Sequence, residues 1–485
     1  MKYPGKFEMI IPDSRKVVTR LIALLFLLVL FTGNQRVAAW QIDDSMQAIN
    51  RDIGDPFPID QRRVADQGIE IFRGKHIELY SDLRDKARCL ELINAFDAAV
   101  PKWCAIFDID AAKAKPWKIR AFLIANANDV TRFDNAGLVN NVPPFAAGFQ
   151  RDHNIWFFAQ PGDYYTRHLL LHEGTHAFMQ WFTGGYGAPW FSEGMAELIG
   201  LHRWQPEVAA ENRLTLQYRL KNKSEAEYWG RVKLIRKDRD AGNGMSLDDV
   251  LQIPPNAFRD VRFYAWSWAG CEFFSRHPKT RDAFQSMTSA TRENPTVFNA
   301  QFRQLLEQAE VDWNQLQDEW ELLVSEIEYG FLVERATIAE VKPLNGQQLA
   351  IRSDHSWQQS TIKVERGQRW SIKARGRFSA GQLITPILKD NETLMQSFPI
   401  ECTANGVTAY HYQRRPLGQL VAGIWETDEK STEQRTRRLV QPIDIGDQAT
   451  IEIAADGILC FRINESPAKL GDNKGSLEVI VKRLE

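Results

Sequence analysis

The sequence contains few cysteines and no cysteine pair of the C-x-x-C type. Cysteine-based zinc sites are usually built on such pairs, so this absence argues against a structural cysteine site. The five cysteines are an odd number, and at least one thiol is therefore left over. Cys402 and Cys460 both lie in the C-terminal region and could form a disulfide there, with buried free thiols as the alternative.

A strong charge of either sign is also missing. The formal net charge is -2, the pI is about 6.5, and the basic residues form no long tract. The composition therefore gives no indication of a nucleic acid partner. Internal repeats and low-complexity tracts are absent as well. What remains is an ordinary globular composition, 44% hydrophobic over 485 residues, which is enough for two or three domains.

A short apolar run lies near the N-terminus. Leu21 to Thr32 is almost entirely apolar, and five basic residues precede it. Val37 and Ala39 then occupy the -3 and -1 positions of a small-residue cleavage site, which completes the layout of a secretory signal peptide. The run is short compared with the roughly 20 residues that span a bilayer. We predict a signal peptide at residues 1–39 and an exported protein (periplasmic, cell-surface or secreted), with an uncleaved membrane anchor as the alternative.

Hydrophobic periodicity divides the rest of the chain into three parts. Residues 40–204 mix strand and helix patterns, and Leu83 to Phe107 is a predicted helix that is broken or kinked near Pro101. Residues 205–340 stay helical and form a predicted helical subdomain. In residues 341–485, short alternating runs separated by Gly, Asn and Asp predict an all-β sandwich. The expected fold class is α+β.

The first part contains the segments that would surround a site. Strands are predicted in Gly68 to Ser81, Lys118 to Asn126 and Ala146 to Ala159. A helix is predicted over Asp163 to Phe182, because Asp163 is a suitable N-cap and Gly184 a suitable stop.

The central motif is the H-E-x-x-H sequence at His172, Glu173 and His176. On a helix, positions i and i+4 lie on one face, so both imidazoles can reach one metal ion. Glu173 is offset from them and can act as the general base on a water molecule. A bare H-E-x-x-H occurs by chance in about one chain of this length per hundred, so it needs support.

A third ligand is required, because a catalytic zinc usually has three protein ligands and one open position. Sixteen residues separate His176 from Glu193, which leaves room for the chain to turn and present a carboxylate from a second helix. Glu197 lies one turn further on the same face. It is predicted to accept the free N–H of a zinc-bound histidine, with a solvated surface carboxylate as the alternative.

Together these motifs resemble the gluzincin peptidases of the MA clan, in which H-E-x-x-H is followed by W-x-x-E-G-x-A. Trp190, Glu193, Gly194 and Ala196 match the second segment one by one. The resemblance covers roughly residues 65–330. It implies a thermolysin-like catalytic region, in which a mixed sheet and zinc helix precede a helical subdomain, with zinc as the cofactor. It also implies that Glu193 is the third ligand.

The same resemblance implies a downstream tyrosine that stabilises the oxyanion. Tyr264, in an aromatic segment, is the candidate for that role, although such tyrosines are often only structural. His168, one turn before His172, is interpreted as a surface residue or a neighbour of a ligand. No G-x-M-E-N sequence precedes the motif. The equivalent edge strand is expected at Phe145 to Phe149, where no carboxylate is present to hold a free amine, and this favours an endopeptidase.

The C-terminal part resembles the bacterial PA-I galactophilic lectin fold, most clearly in its final segment from Arg462 to Val481. The resemblance implies a calcium site made of side-chain oxygens and one backbone carbonyl, which suits calcium chemically. The corresponding residues are Glu465, Asp472 and Asn473 for the side chains and Lys469 for the carbonyl. Two departures stand out. Glu465 replaces a shorter Asp, and Ala380 stands where the lectin has a tyrosine, so it could offer only its carbonyl.

Three functions follow as hypotheses. The first is an exported zinc endopeptidase that acts on a peptide or protein substrate. The second is a non-catalytic protein that binds a glycan or another cell-surface polymer through the β domain. The third keeps the metal but acts on a cell-wall cross-link or another amide. The intact general base Glu173 favours the hypotheses that involve catalysis.

Overall fold

The computed structural model describes residues 58–126, 129–139, 142–344, 348–389, 392–426 and 442–484. The predicted signal peptide at residues 1–39 lies outside these ranges. The mixed α+β class is confirmed, because helices dominate up to residue 336 and strands follow. No helix within the described ranges is both long and apolar enough to cross a membrane.

The first part of the chain builds one five-stranded sheet flanked by helices. Its strands run in the order β1-β2-β3-β5-β4, with β2, β3 and β5 parallel and the two outer strands antiparallel. The elements are α1 (Gln61–Asp66), β1 (Glu70–Arg73), β2 (Ile77–Ser81), α2 (Lys86–Ile106), α3 (Ala111–Ala114), β3 (Ile119–Ile124), α4 (Val130–Asn135), β4 (Gly148–Arg151) and β5 (Asn154–Phe158).

The next part is mainly helical and contains one small hairpin. The elements are α5 (Asp163–Phe178), a π-helical turn (Met179–Thr183), α6 (Pro189–Gly200), β6 (His202–Trp204), β7 (Leu214–Leu216), α7 (Arg231–Asp240), α8 (Leu247–Leu251), α9 (Val261–Arg276), α10 (Arg281–Ser286), α11 (Pro295–Gln308), α12 (Trp313–Glu326) and α13 (Val333–Ala336), with 3₁₀ turns at Ala210–Asn212, Lys223–Glu225, Pro255–Arg259 and Met287–Ser289.

The last part, which we call the β region, contains two six-stranded sheets and a 3₁₀ turn at Leu470–Asp472. One sheet has the order β14-β15-β18-β10-β8 with β16 beside β15, and the other has the order β13-β12-β19-β11-β17 with β9 beside β19. The strands are β8 (Ala339–Glu340), β9 (Gln348–Arg352), β10 (Gln358–Val364), β11 (Arg369–Arg375), β12 (Phe378–Lys389), β13 (Glu392–Cys402), β14 (Asn405–Tyr412), β15 (Arg415–Glu426), β16 (Ile443–Asp444), β17 (Gln448–Glu452), β18 (Gly457–Ile463) and β19 (Lys474–Leu484).

One apolar core joins the two sheets of the β region. Ile372 of β11 and Val479 of β19 belong to the same buried cluster as Leu420 of β15 and Phe461 of β18. Alternation of side chains along each strand turns these residues inward, because successive residues of a strand point to opposite faces.

The β region is fixed to the helical part by buried polar contacts. Arg462 donates to Glu326 at the end of α12 at 2.6 Å and lies over the ring of Trp357. Glu319 accepts from the backbone N–H of Ile338, just before β8, and pairs with the buried His277 at 2.7 Å. These contacts span the change from helices to strands, so the two parts share a buried boundary.

The structure favours buried free thiols over the disulfide, excludes a break at Pro101 and corrects one further expectation. Cys402 and Cys460 do not form a disulfide, since all five cysteines are buried free thiols. They lie in separate apolar clusters. Helix α2 is not broken at Pro101, which lies inside the continuous helix. The stretch after residue 204 is also not uniformly helical, because β6 and β7 pair as a short hairpin.

An aromatic cluster packs against helix α5. Trp103 of α2 is fully buried, and its ring lies 5.2 Å from that of Phe96 and 5.7 Å from that of Phe178. Both Trp103 and Phe96 lie against Gly174, where a Cβ would come within 2.7 Å and 2.8 Å of their rings. The glycine inside the H-E-x-x-H motif thus allows α2 and α5 to approach closely.

Trp103→Ala should lower the free energy of unfolding by about 3–5 kcal/mol, because it removes a fully buried aromatic ring. Trp181→Ala is the matched control: that ring is 43% exposed, and its loss should cost less than about 1 kcal/mol. Denaturant unfolding of both variants measures the difference. Equal losses would contradict the packing described here.

Candidate metal centre

Helix α5, which carries the H-E-x-x-H motif, is buried on every side from Thr166 to Phe178. The helical repeat places His172 and His176 one turn apart on one face, and their rings are 4.9 Å apart. The helix continues into the π-helical turn and ends at Gly184, whose left-handed φ of 81° favours glycine. The expected helix over Asp163 to Phe182 is therefore α-helical only to Phe178.

Helix α6 carries Glu193, and two residues of its motif hold it in place. The indole of Trp190 is fully buried, and its N–H donates to Asn299 at 2.9 Å. Gly194 faces α9, where a Cβ would overlap with the Sγ of Cys271 and the carbonyl of Ser267. The buried Trp190 and the close contact at Gly194 thus hold α6 against its neighbours. In this position, Glu193 faces the histidines.

The two helices bring His172, His176 and Glu193 together. The Nε2 atoms of the histidines are 3.2 Å apart, and they lie 3.3 Å and 3.4 Å from Oε2 of Glu193. Zinc bonds of about 2.0–2.1 Å in tetrahedral geometry separate ligand atoms by about 3.3–3.4 Å. The donor set of two imidazoles and one carboxylate thus fits such a metal in both chemistry and spacing, although nothing in this geometry selects zinc over a related divalent ion.

The charges of this cluster depend on its burial. Burial alone would raise the pKa of Glu193, but the adjacent His176 and His172 outweigh it and lower the pKa to about 2. Glu193 is therefore an anion, as a metal ligand must be. Burial lowers the pKa of His176, yet Glu193 and Glu173 reverse that effect, so the pKa is raised overall. The site thus attracts positive charge.

Glu173 lies on the sheet side of the cluster. Burial, together with the charges of Glu193 and Glu197, raises the pKa of Glu173 to about 8, against a smaller opposing effect of His176. Its carboxylate packs on Gly148 of β4, where a Cβ would overlap with Oε1. A glycine at that position leaves the space that this carboxylate occupies.

A histidine ligand needs a partner for its second nitrogen, and His176 has one that the sequence did not reveal. Its Nδ1 lies 3.3 Å from the hydroxyl of Ser192, the residue before Glu193. The Nδ1 of His172 is buried and lies 3.7 Å from Oε1 of Glu197, which is longer than a hydrogen bond. Glu197 therefore approaches the histidine without the expected hydrogen bond.

Glu197 is instead held by residues more than thirty positions later in the chain. Arg231 donates to both of its oxygens, at 2.7 Å and 3.1 Å, and the indole of Trp229 donates at 2.9 Å. Burial would raise the pKa of Glu197, but Arg231 and His168 hold it well below its usual range. The alternative of a solvated surface carboxylate was wrong, because Glu197 is 1% exposed.

His168 lies beside Glu197 and is not on the surface. It is fully buried, its Nδ1 lies 2.9 Å from the carbonyl of Gly200, and its Nε2 lies 3.3 Å from Glu197. With His172 these two residues form a second cluster of possible metal ligands. A cation there would face Arg231, which already neutralises Glu197. The cluster with Glu193 is therefore the better metal centre.

Two tyrosines lie near the histidines. Tyr264 of α9 has its ring 6.1 Å from that of His172, and burial, with the charges of Glu193 and Glu173, raises its pKa well above the usual value. Tyr186 belongs to the loop between α5 and α6, and its ring lies 5.9 Å from that of His176. The sequence predicted Tyr264 and missed Tyr186, because a loop residue carries no periodic signal.

Strand β4 is the edge of the five-stranded sheet beside Glu173. The expected edge strand, Phe145 to Phe149, is shifted, because the strand starts at Gly148. Phe158 donates to the carbonyl of Ala147 at 3.0 Å, so these two residues form a hydrogen-bonded pair. Such pairs alternate along an antiparallel ladder, so Gly148 and Gln150 direct their backbone N–H and C=O groups toward the open edge.

The residues predicted to bind calcium lie together in the β region. Glu465, Lys469 and Asp472 line one cavity of about 530 Å³, together with Ala380. Burial raises the pKa of Glu465 to about 7, and Asp472 adds to the effect. Asn473 lies behind the cavity and uses its amide N–H groups on Glu465 and on the carbonyl of Ser353, so its contribution of an oxygen remains a prediction.

Comparison with known proteins gives little beyond this geometry. No protein-family model matches the chain, and no curated protein matches it. Among solved structures, the chain is similar to one described as "EclA N-terminal domain; PllA-like lectin", with 15% identity over 28% of this chain and 96% of that chain. The TM-score is 0.18, which does not establish a shared fold.

We expect the purified protein to bind one divalent transition metal per chain, and Glu193→Ala to lose it, because two imidazoles alone make a weak site. Metal analysis after dialysis, and the rise of the thermal midpoint on adding zinc, measure the effect. Glu207→Ala, at an exposed glutamate, is the control and should bind as the unaltered protein does. Equal metal content in both variants would argue against this centre.

Proposed function

We propose that this chain is an exported zinc-dependent peptidase that hydrolyses internal peptide bonds. The observation that carries the proposal is the convergence of His172, His176 and Glu193 at 3.2–3.4 Å, with Glu173 beside them and an open sheet edge alongside. The proposal extends the gluzincin resemblance of the two motifs to mechanism. Export rests on the predicted signal peptide.

The chemistry of the site divides between the metal and the chain. When bound, zinc supplies Lewis acidity, which polarises a carbonyl and lowers the pKa of water. A bound cation would lower the pKa of Glu173 from about 8, because an adjacent positive charge favours the carboxylate. Glu173 would then be placed to accept a proton from the attacking water and to pass it to the departing amide nitrogen, so that one peptide and one water become a carboxylate and an amine. Its buried carboxylate, confined against Gly148, has little freedom to turn away.

Tyr264 is the candidate for stabilising the oxyanion. Its pKa is raised by burial, so the phenol stays protonated and can donate a hydrogen bond to developing negative charge. The hydroxyl of Tyr186, in contrast, is already directed at Gln150 and Gln180. Of the two tyrosines, Tyr264 therefore has the hydroxyl better suited to the reaction.

Strand β4 suggests how a peptide would lie. An extended peptide can pair with the outward N–H and C=O groups of Gly148 and Gln150, as strands do at an open sheet edge. The strand Gly148–Arg151 contains no carboxylate to hold a free amino terminus. A continuous chain could therefore pair with this strand, which favours an endopeptidase.

Glu173→Gln should reduce peptide cleavage by about 10²–10⁴-fold, because the amide cannot accept the proton, while metal content stays the same. Glu207→Gln, at an exposed position, is the matched control and should retain full activity. An unbiased peptide-library digest with parallel metal analysis measures both. Full activity of Glu173→Gln would overturn the mechanism, and the absence of cleavage by the unaltered protein would overturn the function.

A second candidate function belongs to the β region. The cavity of about 530 Å³ has the carboxylates of Glu465 and Asp472 next to the aromatic rings of Tyr410 and Tyr412. Oxygen ligands suit calcium, and aromatic faces suit sugar rings. We propose calcium-assisted glycan binding at this cavity as an accessory function, with the lectin resemblance of the sequence as its motivation.

A glycan array with the full chain, read with calcium and with chelator, tests this candidate. Calcium-dependent binding should weaken at least about tenfold in Asp472→Asn, because a charged ligand is lost. Asp456→Asn, in an exposed turn of the same region, is the control. Glycan binding that is unchanged by removal of calcium and by Asp472→Asn would refute the proposed site.

A further inference from the structure

Three uncharged side chains form a polar cluster between strand β4 and the segments that follow the motif helix, and the mechanism above does not use them. Gln150 comes from β4, Gln180 from the π-helical turn after the motif helix, and Tyr186 from the loop before α6. The hydroxyl of Tyr186 lies 2.9 Å from Oε1 of Gln150 and 3.0 Å from Oε1 of Gln180. Gln150 in turn donates from Nε2 to Gln180 at 2.8 Å.

The position of this cluster follows from the strand repeat. Gly148 and Gln150 are two residues apart on β4, so their side-chain positions share one face, about 6.6 Å apart. Gly148 faces Glu173, and Gln150 faces Gln180. Residues that lie opposite each other on neighbouring strands point to the same face. A peptide paired with β4 would therefore direct one side chain at Glu173 and, two residues along, another at the polar cluster.

The hydrogen bonds within the cluster leave specific groups for a ligand. They use Oε1 of Gln180 twice and leave its amide nitrogen to donate elsewhere. The Tyr186 oxygen keeps lone pairs that can accept, and burial raises the pKa of that phenol, so it remains neutral. An amide or hydroxyl side chain can use both a donor and an acceptor of this kind.

The surroundings also disfavour acidic ligands. The carboxylate of Asp152 is close enough to the cluster to raise the pKa of Tyr186 further. A second carboxylate from a substrate would be repelled there.

We propose that Gln150, Gln180 and Tyr186 form a specificity subsite that selects an uncharged hydrogen-bonding side chain, such as Asn, Gln, Ser or Thr, two residues from the substrate residue that faces Glu173. The inference rests on the proposed peptidase function and adds a substrate class to it. The competing interpretation is that the cluster only braces three elements of the fold, in which case it has no effect on sequence preference.

Gln180→Glu separates the two interpretations. A carboxylate keeps an oxygen that accepts from Tyr186 and Gln150, so the hydrogen bonds that join the three elements are retained. The substitution replaces the free amide donor with a negatively charged acceptor. Gln180→Leu removes all of these groups. Gln252→Leu, at an exposed glutamine, serves as the control.

The experiment is a peptide-library digest by the unaltered full chain and the three variants, with kcat/KM measured for the preferred peptides. The unaltered protein should favour Asn, Gln, Ser or Thr at one fixed position relative to the cleaved bond, two residues from the residue that faces Glu173. Gln180→Leu should lower kcat/KM for those peptides by about tenfold. Gln180→Glu should shift the preference at that same position to Lys and Arg, and Gln252→Leu should change nothing.

A preference profile that is identical in all four proteins would overturn the subsite while leaving the peptidase intact. If the unaltered protein cleaves no peptide, the proposed function fails. The subsite is then tested by binding the same peptide library to two immobilised proteins, the Glu173→Gln variant and the Glu173→Gln, Gln180→Glu double variant. Enrichment of the polar residues at one position, replaced by Lys and Arg in the double variant, supports it, and random capture overturns it.

Discussion

The burial of the motif helix constrains the rest of the site. From Thr166 to Phe178 this helix is shielded from water, yet it carries His168, His172, Glu173 and His176. Buried polar groups are costly unless each finds a partner, and buried charges more so. The surrounding elements therefore supply Glu193 and Ser192 around His176, and Glu197 with Arg231 around His168, two turns earlier on the same helix face.

The same constraint explains why the two carboxylates of α6 differ in role although they lie one turn apart. Glu197 is saturated by Arg231 and Trp229, so its charge is already compensated inside the protein. Glu193 is paired with two histidines and with none of the described arginines, and its side chain is 22% exposed. A cation gains most from the carboxylate that no arginine neutralises. The fold thus makes one of two similar sets of residues the better candidate metal centre.

Glycine has a consistent role around this centre. Gly174 lets the aromatic rings of α2 pack closely on the motif helix, and Gly194 lets α9 pack closely on α6. Gly148 leaves room for the Glu173 carboxylate. Each contact is closer than a Cβ would permit, and each brings one layer of the site nearer to the next. For the proposed peptidase, such close approach would fix the placement of the reacting groups, because small displacements are costly in catalysis.

Periodic features of the chain were predictable from the sequence. The i, i+4 spacing decides that His172 and His176 share a helix face, and alternation predicts the strands of the β region, because both repeats are local. Features that depend on distant residues were not predictable. They are the pairing of Glu197 with Arg231, the start of the edge strand at Gly148, the position of Tyr186, and the separation of Cys402 from Cys460. Such long-range features depend on which surfaces pack together. The packing in turn depends on the burial of side chains from many elements at once. The sequence by itself determined the candidate ligands, and only the tertiary structure decided which of them face one another.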